Sequence, residues 1–223
     1  MKNARKNAAA GTTLLVLFGL FTAAVKRIDV KPIGPAHSLV GFSRLNQRIW
    51  NLFGENLIWY HITDWLGVAA ILVAFGFGIL GLAQAIRRKN PLKADRDLLW
   101  LGVYDVVVLS LYLFFEHYII NYRPVILGTT LEPSYPSSHT MIVVCIMGSA
   151  ILTWNRRLRN RNAKIAVNTV SAFIIAATVL GRLISGVHWF TDIFGGLLLS
   201  FGLLLLYRAA LMRETAKDAE NAR

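Results

Sequence analysis

The sequence predicts an all-α integral membrane bundle of six transmembrane helices with an interfacial helix on its outer face, and three observations predict it. Of the 223 residues, 55% are apolar and only 16% charged, a composition too apolar for an ordinary water-soluble domain. Six apolar stretches approach the roughly 20 residues that cross a bilayer. The net charge of +12 is gathered between those stretches rather than in a basic stripe interleaved with aromatics. That is the pattern of topology-setting loops and argues against nucleic acid as a partner.

The stretches are residues 8–25, 65–86, 98–120, 136–154, 165–181 and 189–207. The first follows a basic start and reads as an uncleaved span, because Lys26 and Arg27 stand where a signal peptide would carry small residues. Residues 38–53 then set Phe42, Leu45, Ile49 and Leu52 on one helical face opposite Arg44, Gln47, Arg48 and Asn51, with Gly54 as the stop. A helix lying in the membrane interface and one packed on neighbouring spans fit this pattern equally. Trp59, Tyr60, Trp65, Trp100, Trp154, Trp189 and Tyr207 near the span ends form the expected aromatic belts.

With the amino terminus inside, 17 of the 24 Lys and Arg residues fall on the cytoplasmic side. The positive-inside rule therefore predicts a multi-pass protein of the cell membrane with both termini in the cytoplasm. Residues 1–211 read as one membrane domain and residues 212–223 as a polar, disordered cytoplasmic tail. Cys145 is the only cysteine and lies in an apolar run, so no intramolecular disulfide is possible.

Three polar clusters fall on the outer side of this topology, each beside a helix end. They are Tyr122-Arg123-Pro124; Tyr135-Pro136-Ser137-Ser138-His139; and Gly181-Arg182 followed after five residues by His188 and then Asp192. His188 and Asp192 are four apart, so on a helix they share a face, and the carboxylate would orient the imidazole and leave its other nitrogen free to attack. A helix opening at Pro136 leaves backbone N–H groups of Ser137 and Ser138 aimed outward, a setting that favours an anion. Arg123 and Arg182 supply planar, permanently charged forks that match phosphate oxygens.

In these clusters the sequence resembles the type-2 phosphatidic acid phosphatase superfamily, whose pattern is Lys-x6-Arg-Pro, Pro-Ser-Gly-His and Ser-Arg-x5-His-x3-Asp. The resemblance covers Glu116 to Asp192 by motif. It implies His188 as nucleophile through a phosphohistidine, Asp192 as its partner and His139 as the acid for the leaving group. It also implies Arg123, Arg182, Ser137 and Ser138 as phosphate-binding groups. Glu116 stands where the family has lysine, Ser138 where it has glycine and Gly181 where it has serine.

The resemblance implies a metal-independent phosphatase without cofactor, acting on a lipid phosphate or diphosphate at the outer face, with membrane lipids around it. The alternative is a catalytically weakened relative that binds or moves lipid. A soluble haloperoxidase with the same constellation is disfavoured by six spans. Glu116 would pair with Arg123 or with His117 and so orient Arg123.

Two further features read as structural. Gly76, Gly78 and Gly81 match a dinucleotide fingerprint but sit inside an apolar span without a preceding strand, so they read as small-residue helix packing. Asp105 lies inside the third span, where a charge costs at least about 2.5 kcal/mol. It should face the bundle, hydrogen-bonded or protonated.

Overall fold

In the computed structural model, which describes residues 1–221, each predicted span is a helix. The helices are α1 (Lys2–Val25), α2 (Ser43–Phe53), α3 (Leu57–Arg87), α4 (Arg96–His117), α5 (Ser138–Arg157), α6 (Arg161–Ile184) and α7 (Phe190–Asn221). All but the short α2 are long and apolar enough to cross a membrane. Six alternating spans put both ends of the described chain at one end of the bundle, where the Asn7 amide reaches Met212.

Helix α5 is the axis. Eleven of its residues are buried, against four in α6, because it is apolar on all sides and surrounded by α3, α4, α6 and α7. Helices α1 and α7 lie in close contact where Gly11 faces Gly202; a Cβ on Gly11 would sit 2.8 Å from the Gly202 carbonyl oxygen.

Helix α3 begins well before the predicted residue 65. Asn56 caps it, its Oδ1 accepting from the N–H groups of Ile58 and Trp59 at 3.1 and 3.2 Å. At 1.5 Å per residue its 31 residues span about 46 Å. That is longer than a hydrocarbon layer of roughly 30 Å, so hydropathy stopped at Asp64 although the helix does not. Helix α2 starts at Ser43 rather than residue 38, after Phe42 in a left-handed conformation (φ 47°). It buries Asn46 against the start of α7 and leaves Leu45, Leu52 and Phe53 exposed.

The expected disordered tail is instead helical through Asn221, the last two residues lying outside the described chain. Glu214, buried and 2.9 Å from Arg96, and Thr215, whose hydroxyl accepts from Arg156 at 2.6 Å, tie the start of this segment to the bundle. At the same end Arg157 forks onto Asp97 at 2.7 and 2.6 Å and reaches Asp95 at 3.0 Å, tying α4 to α5. The glycine reading needs correction. A Cβ on Gly76, Gly78 or Gly81 would meet nothing within 4 Å, so these glycines do not mediate helix packing within the chain.

Candidate active site

The three polar clusters meet at the bundle end opposite the termini. The α4–α5 connection folds back on itself: Tyr122 and Pro133 form an antiparallel bridge. The N–H of Arg123 donates to the Glu132 carbonyl and that of Ser134 to the Asn121 carbonyl, each at 3.0 Å. The Trp189 indole N–H donates to the Tyr122 carbonyl at 2.9 Å and fastens this hairpin to the start of α7.

His188 lies in the turn before α7, not on the helix, because Gly186 takes a left-handed φ of 67° and interrupts the run from α6. Only glycine fits there: a Cβ would fall 1.9 Å from the Gly54 carbonyl oxygen. Nδ1 of His188 is 3.1 Å from the Ser134 carbonyl and 3.8 Å from Asp192 Oδ2. The expected Asp192–His188 hydrogen bond is thus replaced by a backbone acceptor. Asp192 instead accepts from the Trp189 N–H at 2.9 Å and from the Asn121 amide at 3.2 Å, holding the turn that carries His188. A carbonyl on Nδ1 selects the tautomer with the proton there, which leaves Nε2 as the bare nitrogen. Nε2 is buried with no hydrogen-bond partner. Burial, with Arg123 and Arg182 nearby, holds the His188 pKa well below the usual histidine value.

Four hydrogen bonds steady this turn from outside. The Trp50 indole of α2 donates to the Gly186 carbonyl at 3.0 Å. Asn46 donates to the Thr191 hydroxyl at 3.0 Å and accepts from the Thr191 N–H at 3.2 Å. The Asn56 N–H donates to the Ser185 carbonyl at 3.0 Å. Helix α2 is therefore a brace on the loop between α6 and α7.

Arg182 is fully buried near the end of α6, and its Nη2 pairs with Asp64 of α3. Its guanidinium lies 5.0 Å from the Tyr60 ring centroid, and its Nε and Nη1 have no partner. Gly181 beside it lets α3 approach, since a Cβ there would lie 2.5 Å from Thr63 Cγ2. Asp64 also stands 3.1 Å from His139 Nε2, so one carboxylate joins Arg182 to His139, while His139 Nδ1 stays unpartnered. Arg123 lies 3.0 Å from Glu132, yet its Nε and Nη1 make no hydrogen bond of good geometry.

The remaining predicted residues divide. Ser137 is buried as the N-cap of α5, its Oγ accepting from the Thr140 N–H at 3.4 Å. Its N–H donates to the Asp192 carbonyl at 2.9 Å and so does not point outward as expected. Ser138 and His139, the first helical residues, keep N–H groups with no intrahelical acceptor. Glu116 is exposed on α4 beside Ser134 and Ser138, and His117 is exposed with its ring on the Leu113 carbonyl. The expected pairing of Glu116 with Arg123 does not occur; Glu132 holds that place.

Sequence reasoning missed Asp64, Glu132, Asn121, Ser134 and Asn46. Asp64 carried a signal, an acid at the edge of an apolar run eight residues after the Asn56 cap. Ser134 acts through a backbone carbonyl and carries none. Among the described residues no three His, Cys, Asp or Glu side chains converge to hold a metal ion. The site offers buried cationic and N–H donors, an arrangement suited to an oxyanion.

A cavity of about 660 Å³ leads from the site into the apolar body. Asp64, Ser138 and His139 stand at its head, and Ile71, Val108 and Ile142 of α3, α4 and α5 line its walls.

The sequence profile of the PAP2 superfamily matches residues 98–216. Among solved structures, the chain is similar to the crystal structure of a transmembrane PAP2-type phosphatidylglycerolphosphate phosphatase from Bacillus subtilis. The TM-score is 0.63 at 20% identity, covering 92% of this chain and 96% of that one. No curated protein matches the sequence.

Proposed function

The chain belongs to the PAP2 superfamily, and on that premise we propose that it is a membrane-embedded phosphatase that removes a phosphate from a lipid phosphate or diphosphate at the outer face. One observation carries this reading. Half-buried Arg123 and buried Arg182 and His188 converge with unspent, buried donor nitrogens and a bare ring nitrogen, a costly arrangement unless an anion completes it.

In the proposed reaction the guanidiniums of Arg123 and Arg182 and the first N–H groups of α5 hold the phosphoryl oxygens. His188 Nε2 attacks phosphorus in line as the bond to the lipid oxygen breaks, and His139 gives its proton to that oxygen. The lipid alcohol leaves a phosphohistidine on His188. Water, giving a proton back to His139, then attacks phosphorus and releases inorganic phosphate with His188 neutral again. Asp192 is a positioning residue here, and Ser137 positions α5. The positive charge needed comes from side chains, so the reaction is metal-independent and uses no cofactor.

The lipid chains lie in the cavity between α3, α4 and α5, which opens among exposed side chains such as Ile71 and Phe75. With 17 of 24 basic residues at the termini end, the termini face the cytoplasm and the site faces away from it. Phosphate release from phosphatidic acid, phosphatidylglycerol phosphate and undecaprenyl diphosphate in detergent tests the reading. Release by the wild type and none by His188→Ala supports it. Tight lipid binding without release by the wild type would instead identify a silent lipid-binding relative.

A further inference from the structure

Asp105 does not match the cavity it lines. Along α4 it is followed in the same wall by Val108 and Leu109, facing Ile71 and Phe75 of α3 and Ile142 of α5. Of the two expectations for it, hydrogen-bonded or protonated, the first does not hold: its Oδ1 is buried and has no hydrogen-bond partner. The adjacent Tyr104 turns the other way, packing on Tyr207 with ring centroids 4.9 Å apart, so of the two only Asp105 faces the cavity. An unpartnered carboxyl group at this depth is expensive and is retained where a ligand serves it.

Its depth can be placed. Tyr112 lines both this cavity and the small recess formed with Ser134 and Ser138, which sets the level of the site. Asp105 is seven residues earlier on the same helix, about 10 Å deeper. It therefore meets the part of a bound lipid several bonds below the phosphate, where head group and chains are joined.

We propose that Asp105 is a specificity determinant whose carboxylic acid donates to an ester or amide carbonyl, or accepts from an amide N–H or hydroxyl, in the linkage region of the substrate, so that the enzyme selects lipid phosphates with such a group there over polyprenyl phosphates. The inference rests on the lipid phosphatase reading above. A polyprenyl chain has no polar atom at that level and buries the carboxyl group without a partner. A site built around a buried polar group rejects an analogue lacking its mate more strongly than an apolar site rejects a misfit.

The test uses purified full-length protein in mixed micelles. It compares kcat/KM for phosphate release from phosphatidic acid, ceramide 1-phosphate and undecaprenyl phosphate at equal surface concentration. The wild type should favour an acyl-linked lipid over the polyprenyl one by about tenfold, the worth of one hydrogen bond. The arm with the larger preference identifies ester or amide as the partner. Asp105→Leu should raise the polyprenyl rate and bring the ratio near one. Asp105→Asn, which keeps a donor and an acceptor, should hold the ratio within about twofold. Equal wild-type rates, a polyprenyl preference, or an unchanged ratio in Asp105→Leu overturns the proposal, and the wild-type comparison decides the matter even if that variant does not fold. A wild type that hydrolyses none of the three overturns the phosphatase reading and this inference with it.

Discussion

Replacing Asp64 by alanine removes the carboxylate shared by Arg182 and His139. Arg182 has no exposed side-chain surface and His139 is 29% exposed, while Asp64 itself is 35% exposed. A charge-assisted hydrogen bond contributes about 1.5–3 kcal/mol. The bond to buried Arg182 belongs near the top of that range, and the partly hydrated contact to His139 adds less. Taking about 3 kcal/mol of lost transition-state stabilisation, kcat/KM for phosphatidic acid should fall about 10²-fold. Folding should suffer by less than the 3–5 kcal/mol typical of a broken buried pair, because Asp64 faces the open cavity and water enters the gap.

The loss should fall more on kcat than on KM, since in the proposed reaction His139 acts in bond breaking while Arg182 remains charged and near the phosphate. Asp64→Asn keeps one acceptor oxygen without the charge and should lie between wild type and alanine. The assay is phosphate release in detergent over a range of lipid mole fractions, with the thermal unfolding transition measured in the same detergent. Full kcat/KM in Asp64→Ala, with an unfolding transition like the wild type's, would refute the view that this carboxylate organises the site.

Other expectations follow from the same geometry. Glu132→Gln frees Arg123 from an exposed ion pair worth up to about 1 kcal/mol, so inhibition by inorganic phosphate should strengthen by up to about fivefold; weaker inhibition would show that Glu132 aims Arg123. Because His188 is held well below the usual histidine pKa, it stays neutral in the folded protein at pH values where the unfolded chain binds a proton. Its contribution to stability is therefore lost as pH falls below about 6.5, and the acid limb of kcat/KM should lie well below that value. Activity should survive a chelator and be inhibited by vanadate; loss restored by magnesium contradicts the proposed charge assignment. Single cysteines near Thr129 and Asn160 in a Cys145→Ser background should react oppositely with an impermeant label on intact cells, the first labelled and the second protected. The reverse pattern would move the chemistry to the cytoplasmic side.

Six spans, the amphipathic α2 and the polar clusters around Arg123, His139 and His188 were all readable along the chain. Each rests on local signals: apolar length matched to bilayer thickness, 3.6-residue periodicity, and residue types at fixed short spacing. Hydropathy erred where a charge belongs to a helix, ending a span at Asp64 that begins at Leu57. What packing alone decided is who partners whom. Asp64 meets Arg182 across 118 positions, and Ser134 offers His188 a carbonyl that any residue would carry. Asp192 braces the turn rather than gripping the imidazole, because Gly186 moves His188 off the helix and out of the i, i+4 geometry its spacing implied. Asp105 likewise faces a cavity inside the bundle and lacks a protein partner, because α3, α4 and α5 leave space between them. Spacing along a chain names candidate chemistry, but the orientation of a side chain and its acceptor depends on backbone brought together from distant segments, and that comes only from the packed helices.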